Sequence, residues 1–390
     1  MDVLSIMWDL TIIIFFAKIF GLIARKLKAP QVVGEIVAGL LIGPSVLGWV
    51  QLNGFIDVCA QIGVVLLMFS AGLGTNLRDL LRTGPKALAI ACAGVLVPLA
   101  GGTLLYMAFY GFAPWGSEKF FTAVFIGVIM TATSVSITVE TLKELGTTIL
   151  SAAIIDDVIG IMVLTFVVGF KNPDSNPGKV LASTLLFFGL AVGVGFVVYH
   201  IFKFVDKRYP HTRRIPIFAL VLCFGLSFLA EKVFGIADIT GAYVAGIILC
   251  NLRDSAYIEE KMDINSYMIF GPIFFASIGL KTDVSGITWE LMLFSAAFVG
   301  VALVAKILGC GAMSRLCGFR GKDTLRIGVG MMTRGEVALI VAQRGLAEGM
   351  ISSVYFTSVI LLIIVSSIAT PIILKLLFRE KKPKQELSQA

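Results

Sequence analysis

The sequence predicts an all-α, polytopic membrane protein with about thirteen transmembrane helices arranged as two inverted repeats. Three observations carry that expectation. Of the 390 residues, 57% are hydrophobic and only 15% charged, with a mean hydropathy of +0.94; soluble domains do not have this balance. Apolar runs of roughly 20 residues, enough to cross a bilayer as helix, recur along the whole chain. Two short patterns also return at one fixed offset.

In order, the spans are expected at roughly 5–24, 31–48, 55–74, 85–110, 119–145, 147–170, 179–204, 214–230, 236–251, 256–280, 287–314, 322–346 and 352–377. The first has no basic start and no small-residue exit, so it reads as a span and not a cleaved signal. Pro30 and Pro44 bracket the second span, while Pro98 and Pro272 interrupt the fourth and tenth. These prolines read mainly as kinks. Forty glycines suit close helix packing in lipid. The six cysteines lie in or beside spans without C-x-x-C spacing and read as small packing residues.

The net charge of +7 would suggest nucleic acid in a soluble protein, but here the basic residues sit in loops. Arg25, Lys26 and Lys28 follow span 1, and basic clusters follow spans 3, 5, 7, 9, 11 and 13. The opposite loops hold only Lys119, Lys171, Lys179, Lys232 and Lys281. The positive-inside rule then places the N-terminus outside and the C-terminus in the cytoplasm.

Val37-Ala38-Gly39-Leu40-Leu41 returns as Val244-Ala245-Gly246-Ile247-Ile248, and the segment around Gly72 returns around Gly279, both 207 residues later. Residues 1–170 form the first repeat, 171–211 a connecting span, 212–378 the second repeat and 379–390 a cytoplasmic tail. Spans 2 and 9 start from opposite faces, so the repeats are inverted. Secondary transporters are built this way, with a site near the bilayer midplane.

The chemistry concentrates in Ala152–Gly160, which reads AAIIDDVIG. Asp156 and Asp157 stand inside an apolar span, where a charge costs about 3 kcal/mol or more and persists only for function. On a helix the two point about 100° apart, so they cannot share one partner, and their repulsion favours holding a proton. Lys306 sits midway along span 11 with no route to an interface and needs Asp156 or Asp157 as its partner. Thr131, Thr133 and Ser134 form a hydroxyl patch in span 5, and Thr333, Arg334 and Glu336 an irregular segment in span 12. Matched breaks in two halves point to a substrate site, with carbonyls available to a cation. Arg334 and Glu336 are expected to pair with Glu140, Glu35 or each other and so to support the broken helix. Lys18 reads as snorkelling toward Arg25, and a pH-sensing role for His200 or His211 is the weaker reading.

These residues carry a resemblance. The Asp-Asp pair, the Thr131–Val135 patch, Lys306, the Arg334–Ala342 run and Pro30–Glu35 resemble the monovalent cation:proton antiporters, NapA-type bacterial Na+/H+ antiporters in particular. The resemblance implies the NhaA-like antiporter fold and a homodimer, with spans 4–6 and 11–13 as a core moving against a dimerising panel. It makes Asp157 the main cation and proton ligand, Asp156 the second carboxylate and Lys306 its salt-bridge partner, with Thr131 and Thr133 at the crossed, unwound helices. Relatives commonly carry proline where Thr333 stands, and the link at Gly146–Thr147 is shorter than theirs.

The expected function is therefore exchange of Na+, or Li+, for H+ by alternating access in the cell membrane, electrogenic if Lys306 also gives up its proton. Such exchange would serve pH homeostasis. No enzyme activity and no cofactor beyond the transported ions is expected, and the partners are ions, lipid and a second copy, not nucleic acid. A K+/H+ antiporter of the same family is the first alternative, and a sodium-coupled organic-anion symporter the second. An intramembrane aspartyl protease is excluded because its two carboxylates must converge from separate spans. A passive channel would have no use for the proton-holding pair.

Overall fold

The computed structural model describes residues 3–27, 29–75, 77–133, 146–171, 177–208, 214–282 and 288–378. They form α-helices and no strand. The first three helices are α1 (Val3–Lys26), α2 (Gln31–Ile42) and α3 (Gly54–Leu73). Pro30 is the N-cap of α2, and Asn53 caps α3 by accepting from the Ile56 amide. Helix α4 (Leu77–Tyr110) is broken near its start at Gly84, whose φ of 58° is left-handed, and carries Pro85 and Pro98. Ser117 caps α5 (Glu118–Thr131), which ends at Ala132 in extended backbone; α6 (Gly146–Lys171) carries the two aspartates. Ser134, Glu140 and the rest of the link before α6 lie outside the described residues.

After the connector α7 (Pro177–Arg208) come α8 (Arg214–Phe228), extended by a π turn over Leu229–Val233, and α9 (Asp238–Leu249). Helices α10 (Ser255–Asn265) and α11 (Gly271–Lys281) are joined through a π turn, with Pro272 in the first turn of α11. Pro272 thus sits inside one continuous helical segment, Ser255–Lys281, just after its π turn. The last helices are α12 (Trp289–Leu316), α13 (Lys322–Gly330), α14 (Glu336–Ala347) and α15 (Tyr355–Phe378). Nine helical segments among the described residues are long and apolar enough to cross a membrane, while α2, α9 and the apolar part of α14 are shorter. The chain is a multi-pass membrane protein.

Contacts divide the helices into two bundles. Helices α4, α5, α6, α12, α13, α14 and α15 pack together, as do α1, α2, α3, α8, α9, α10 and α11; α7 touches α6 on one side and α8 and α9 on the other. In the second bundle two crossings bring backbone onto backbone. A Cβ at Gly39 would lie 2.0 Å from the Ala276 carbonyl, and one at Gly279 2.2 Å from that of Ile36, so α2 and α11 meet only because both are glycine. The same holds where α9 crosses α3: a Cβ at Gly246 would run into the Phe69 carbonyl, and one at Gly72 into that of Tyr243. Each crossing pairs one copy of the Val-Ala-Gly pattern with the glycine segment of the other half.

Lys18 is held by protein groups. It donates to the Tyr267 carbonyl at 2.6 Å and lies 3.5 Å from Glu35, which also accepts from Gln31 at 2.9 Å. Helix α1 packs against α2 and α11, leaving Glu35 only 3% exposed, and a buried carboxylate draws the nearest cation.

Candidate functional site

Where α5 stops, its last carbonyls have no intrahelical donor. Thr131 Oγ1 satisfies Val128 at 2.8 Å, but the Met130 and Thr131 carbonyls point inward at the negative end of the helix dipole, where cations are favoured. Two cations arrive. Lys306 Nζ, on α12, donates to the Thr131 carbonyl at 2.9 Å, and Arg334 donates to Met130 at 2.7 Å. Arg334 also donates to Met331, at the end of α13, at 3.2 Å and to Ala302 at 3.4 Å. One guanidinium thus joins the C-terminal ends of both interrupted helices, while Ser366 Oγ accepts from the Arg334 amide at 3.0 Å.

Lys306 completes its shell with Asp156, whose carboxylate oxygens lie 2.7 and 2.8 Å away, and with the Gly94 carbonyl at 2.9 Å. Its three N–H donors therefore face one carboxylate and two carbonyls. Thr133 donates to Asp156 Oδ2 at 2.7 Å. Lys306 is fully buried and Asp156 is 1% exposed. Desolvation opposes such a pair, which persists only when its remaining hydrogen bonds are made, as they are here. Asp157, the next residue on α6, is half-buried and near enough to the buried Tyr243 of α9, in the other bundle, for its charge to be felt there.

This arrangement is a buried carboxylate held by a lysine beside two unwound backbone segments, with a second carboxylate one residue on. The model for the transmembrane sodium/hydrogen exchanger family matches residues 11–380, nearly the whole chain. The chain belongs to the sodium/hydrogen exchanger family. It is 34% identical to the Na(+)/H(+)-K(+) antiporter GerN of Bacillus cereus over 98% of both chains. It is 37% identical to the probable Na(+)/H(+) antiporter GerT of the same organism over 95% of this chain and 99% of that one. The fold matches the sodium proton antiporter MjNhaP1 of Methanocaldococcus jannaschii, with a TM-score of 0.73, 19% identity and coverage of 97% and 99%.

In this exchanger-family chain the structure brings together Asp156, Lys306, Thr131, Thr133 and Arg334. Arg334 binds the carbonyls of Met130, Met331 and Ala302; whether it also pairs with Glu336 or Glu140 lies outside the described residues, and Glu35 is engaged by Lys18. Glu336 opens α14, but its side chain lies outside the described residues, as do Ser134 and Glu140. Thr333 is fully buried, and its hydroxyl has no hydrogen-bond partner among the described residues. Among those residues no group of three His, Cys, Asp or Glu side chains could hold a resident metal.

Two features escaped the sequence reading. The Gly94 carbonyl of α4 accepts from Lys306 Nζ. Between the bundles a cavity of about 400 Å³ is rimmed by Asp57, Glu231, Asp238, Lys281 and Arg344. Its floor includes Val64, Ile239 and Ile340, and neither Asp156 nor Asp157 lines it. Arg344 of α14 bridges to Glu231 at 3.2 Å and Asp238 at 3.4 Å across the bundle boundary. Nearby, Thr165 of α6 meets Thr240 of α9 at 3.4 Å. Only proximity in space reveals these contacts.

Proposed function

We propose that the chain is a secondary active transporter exchanging Na+ for H+ by alternating access, with Asp157 as the main cation and proton ligand. The observation that carries this reading is the buried Lys306–Asp156 pair at the crossing of two interrupted helices. With the site empty, Lys306 neutralises Asp156 and a proton neutralises Asp157. A sodium ion, a hard cation suited to oxygen ligands, takes both carboxylates and is helped by Thr133 and by backbone carbonyls near Thr131. It displaces the Asp157 proton and releases Asp156 from Lys306. If Lys306 then gives up its proton, exchange moves net charge, and each elementary charge is worth about 2.3 kcal/mol per 100 mV.

Thirteen crossings, an outside N-terminus and a cytoplasmic C-terminus belong to this reading, with residues 1–170 and 212–378 as inverted repeats. The paired glycine crossings support the repeat, since the α2–α11 contact maps onto α9–α3 under the 207-residue offset. The bundle containing α4–α6 and α12–α15 is the mobile core, and the other bundle is a panel that dimerises. A K+-transporting activity is the second reading, favoured by the relative whose name includes K+.

The test is a proteoliposome assay with a pH-sensitive dye. Wild-type protein should dissipate a proton gradient on addition of Na+, with K+ and Li+ compared in parallel, and Asp157→Asn should not. Unimpaired exchange by folded Asp157→Asn rejects the assignment. A response to K+ without Na+ selects the second reading.

A further inference from the structure

Proline has no N–H, so the carbonyl four residues earlier in a helix loses its usual donor, and the ring pushes that carbonyl outward. Pro98 lies inside α4, and the carbonyl four residues before it belongs to Gly94. That oxygen accepts from Lys306 Nζ at 2.9 Å. The second half of the device is the missing side chain at 94. A Cβ there would lie 2.7 Å from Cys310 Sγ, 3.1 Å from Asp156 Oδ1 and 3.4 Å from Lys306 Nζ. Glycine lets α4 come this close, and proline, lacking an N–H, leaves that carbonyl free for the ammonium.

We infer that Gly94 and Pro98 are positioning residues for Lys306, together supplying the backbone acceptor that holds its charged form against Asp156. The inference rests on the exchange reading above and adds to it a control on how readily Lys306 lets go. The charged or titratable groups facing Lys306 are Asp156 on α6, Arg334 between α13 and α14, and Cys310 on its own helix. From α4 and α5 it meets only backbone carbonyls, those of Gly94 and Thr131. Removing the first leaves the ammonium with Asp156 and a single carbonyl, so sodium competes for Asp156 against a weaker rival.

Pro98→Ala gives residue 98 an amide that competes for the Gly94 carbonyl. Its apparent Km for Na+ at fixed pH should fall at least threefold while kcat stays within twofold of wild type. The decisive control replaces Pro98 with lactic acid by nonsense suppression, which puts an ester at this linkage: the ring is gone, but still no N–H is present. If the missing donor is what matters, the ester variant keeps the wild-type Km while Pro98→Ala does not. If the helix bend is what matters, both variants change alike, and the inference is overturned. It is also overturned if Pro98→Ala, at wild-type melting temperature, shows an unchanged Km. Absence of cation-driven proton movement in wild-type protein rejects the exchange reading itself, a separate outcome.

Discussion

Removing one partner of the Lys306–Asp156 pair should cost far more stability than removing both. Lys306→Met leaves a carboxylate that is 1% exposed with Thr133 as its remaining hydrogen-bond donor, and leaves the Gly94 and Thr131 carbonyls without their cation. Breaking a buried pair in this way costs about 3–5 kcal/mol, whereas replacing both partners with neutral groups of similar size is often close to neutral. Scaling the average unfolding entropy to a chain of this length gives roughly 0.8 kcal/mol per degree. Lys306→Met should therefore melt roughly 4–6 °C below wild type, and Lys306→Met/Asp156→Asn should recover most of that loss. Scanning fluorimetry in detergent at one fixed heating rate compares the three variants with wild type. A double variant as unstable as the two single variants added together would refute the coupling.

Three further outcomes are expected. Gly94→Ala should lower both the melting temperature and exchange, because the new Cβ meets Cys310 Sγ at 2.7 Å; adding Cys310→Ala should restore part of the stability. Thr333→Val should raise the melting temperature, since a buried hydroxyl without a partner costs about 1–3 kcal/mol, and a fall would reveal an interaction the hydroxyl makes. Arg344→Gln should speed amide hydrogen exchange in the first turn of α9 while changing stability by less than about 1 kcal/mol, as expected for a part-exposed ion pair. Unchanged exchange there would show that Arg344 does not tie the two bundles together.

The aspartate pair, the midspan lysine and the hydroxyl patch were legible in the sequence because charge and polarity inside apolar runs stand out. Residue patterning alone left open which aspartate Lys306 would take; only the family resemblance named Asp156. The choice depends on which side of α6 faces α12, and the sequence gives only the 100° between the two carboxylates. Pro98 read as a kink because its effect falls on a carbonyl whose neighbour lies on a helix some 200 residues away. The carbonyls that Arg334 takes were hidden as well, because they belong to two helix ends that meet only in the fold. Lys18 was read from its distance along α1 to the interface, and tertiary packing supplied a nearer partner in Glu35. In each case the residue type was visible and its partner was not, because partners are set by helix rotation and crossing.

At the paired glycine contacts of the second bundle, backbone lies on backbone, with no side chain at the crossing point that could repack to absorb shear. Backbone seated on backbone makes that bundle a stiff frame. Sliding is then confined to the seam where the two bundles meet and to the long α7 strap that joins them. Lipids wedged along that seam would act as lubricant or brake, so turnover should follow bilayer composition even when every ion-contacting residue is left alone.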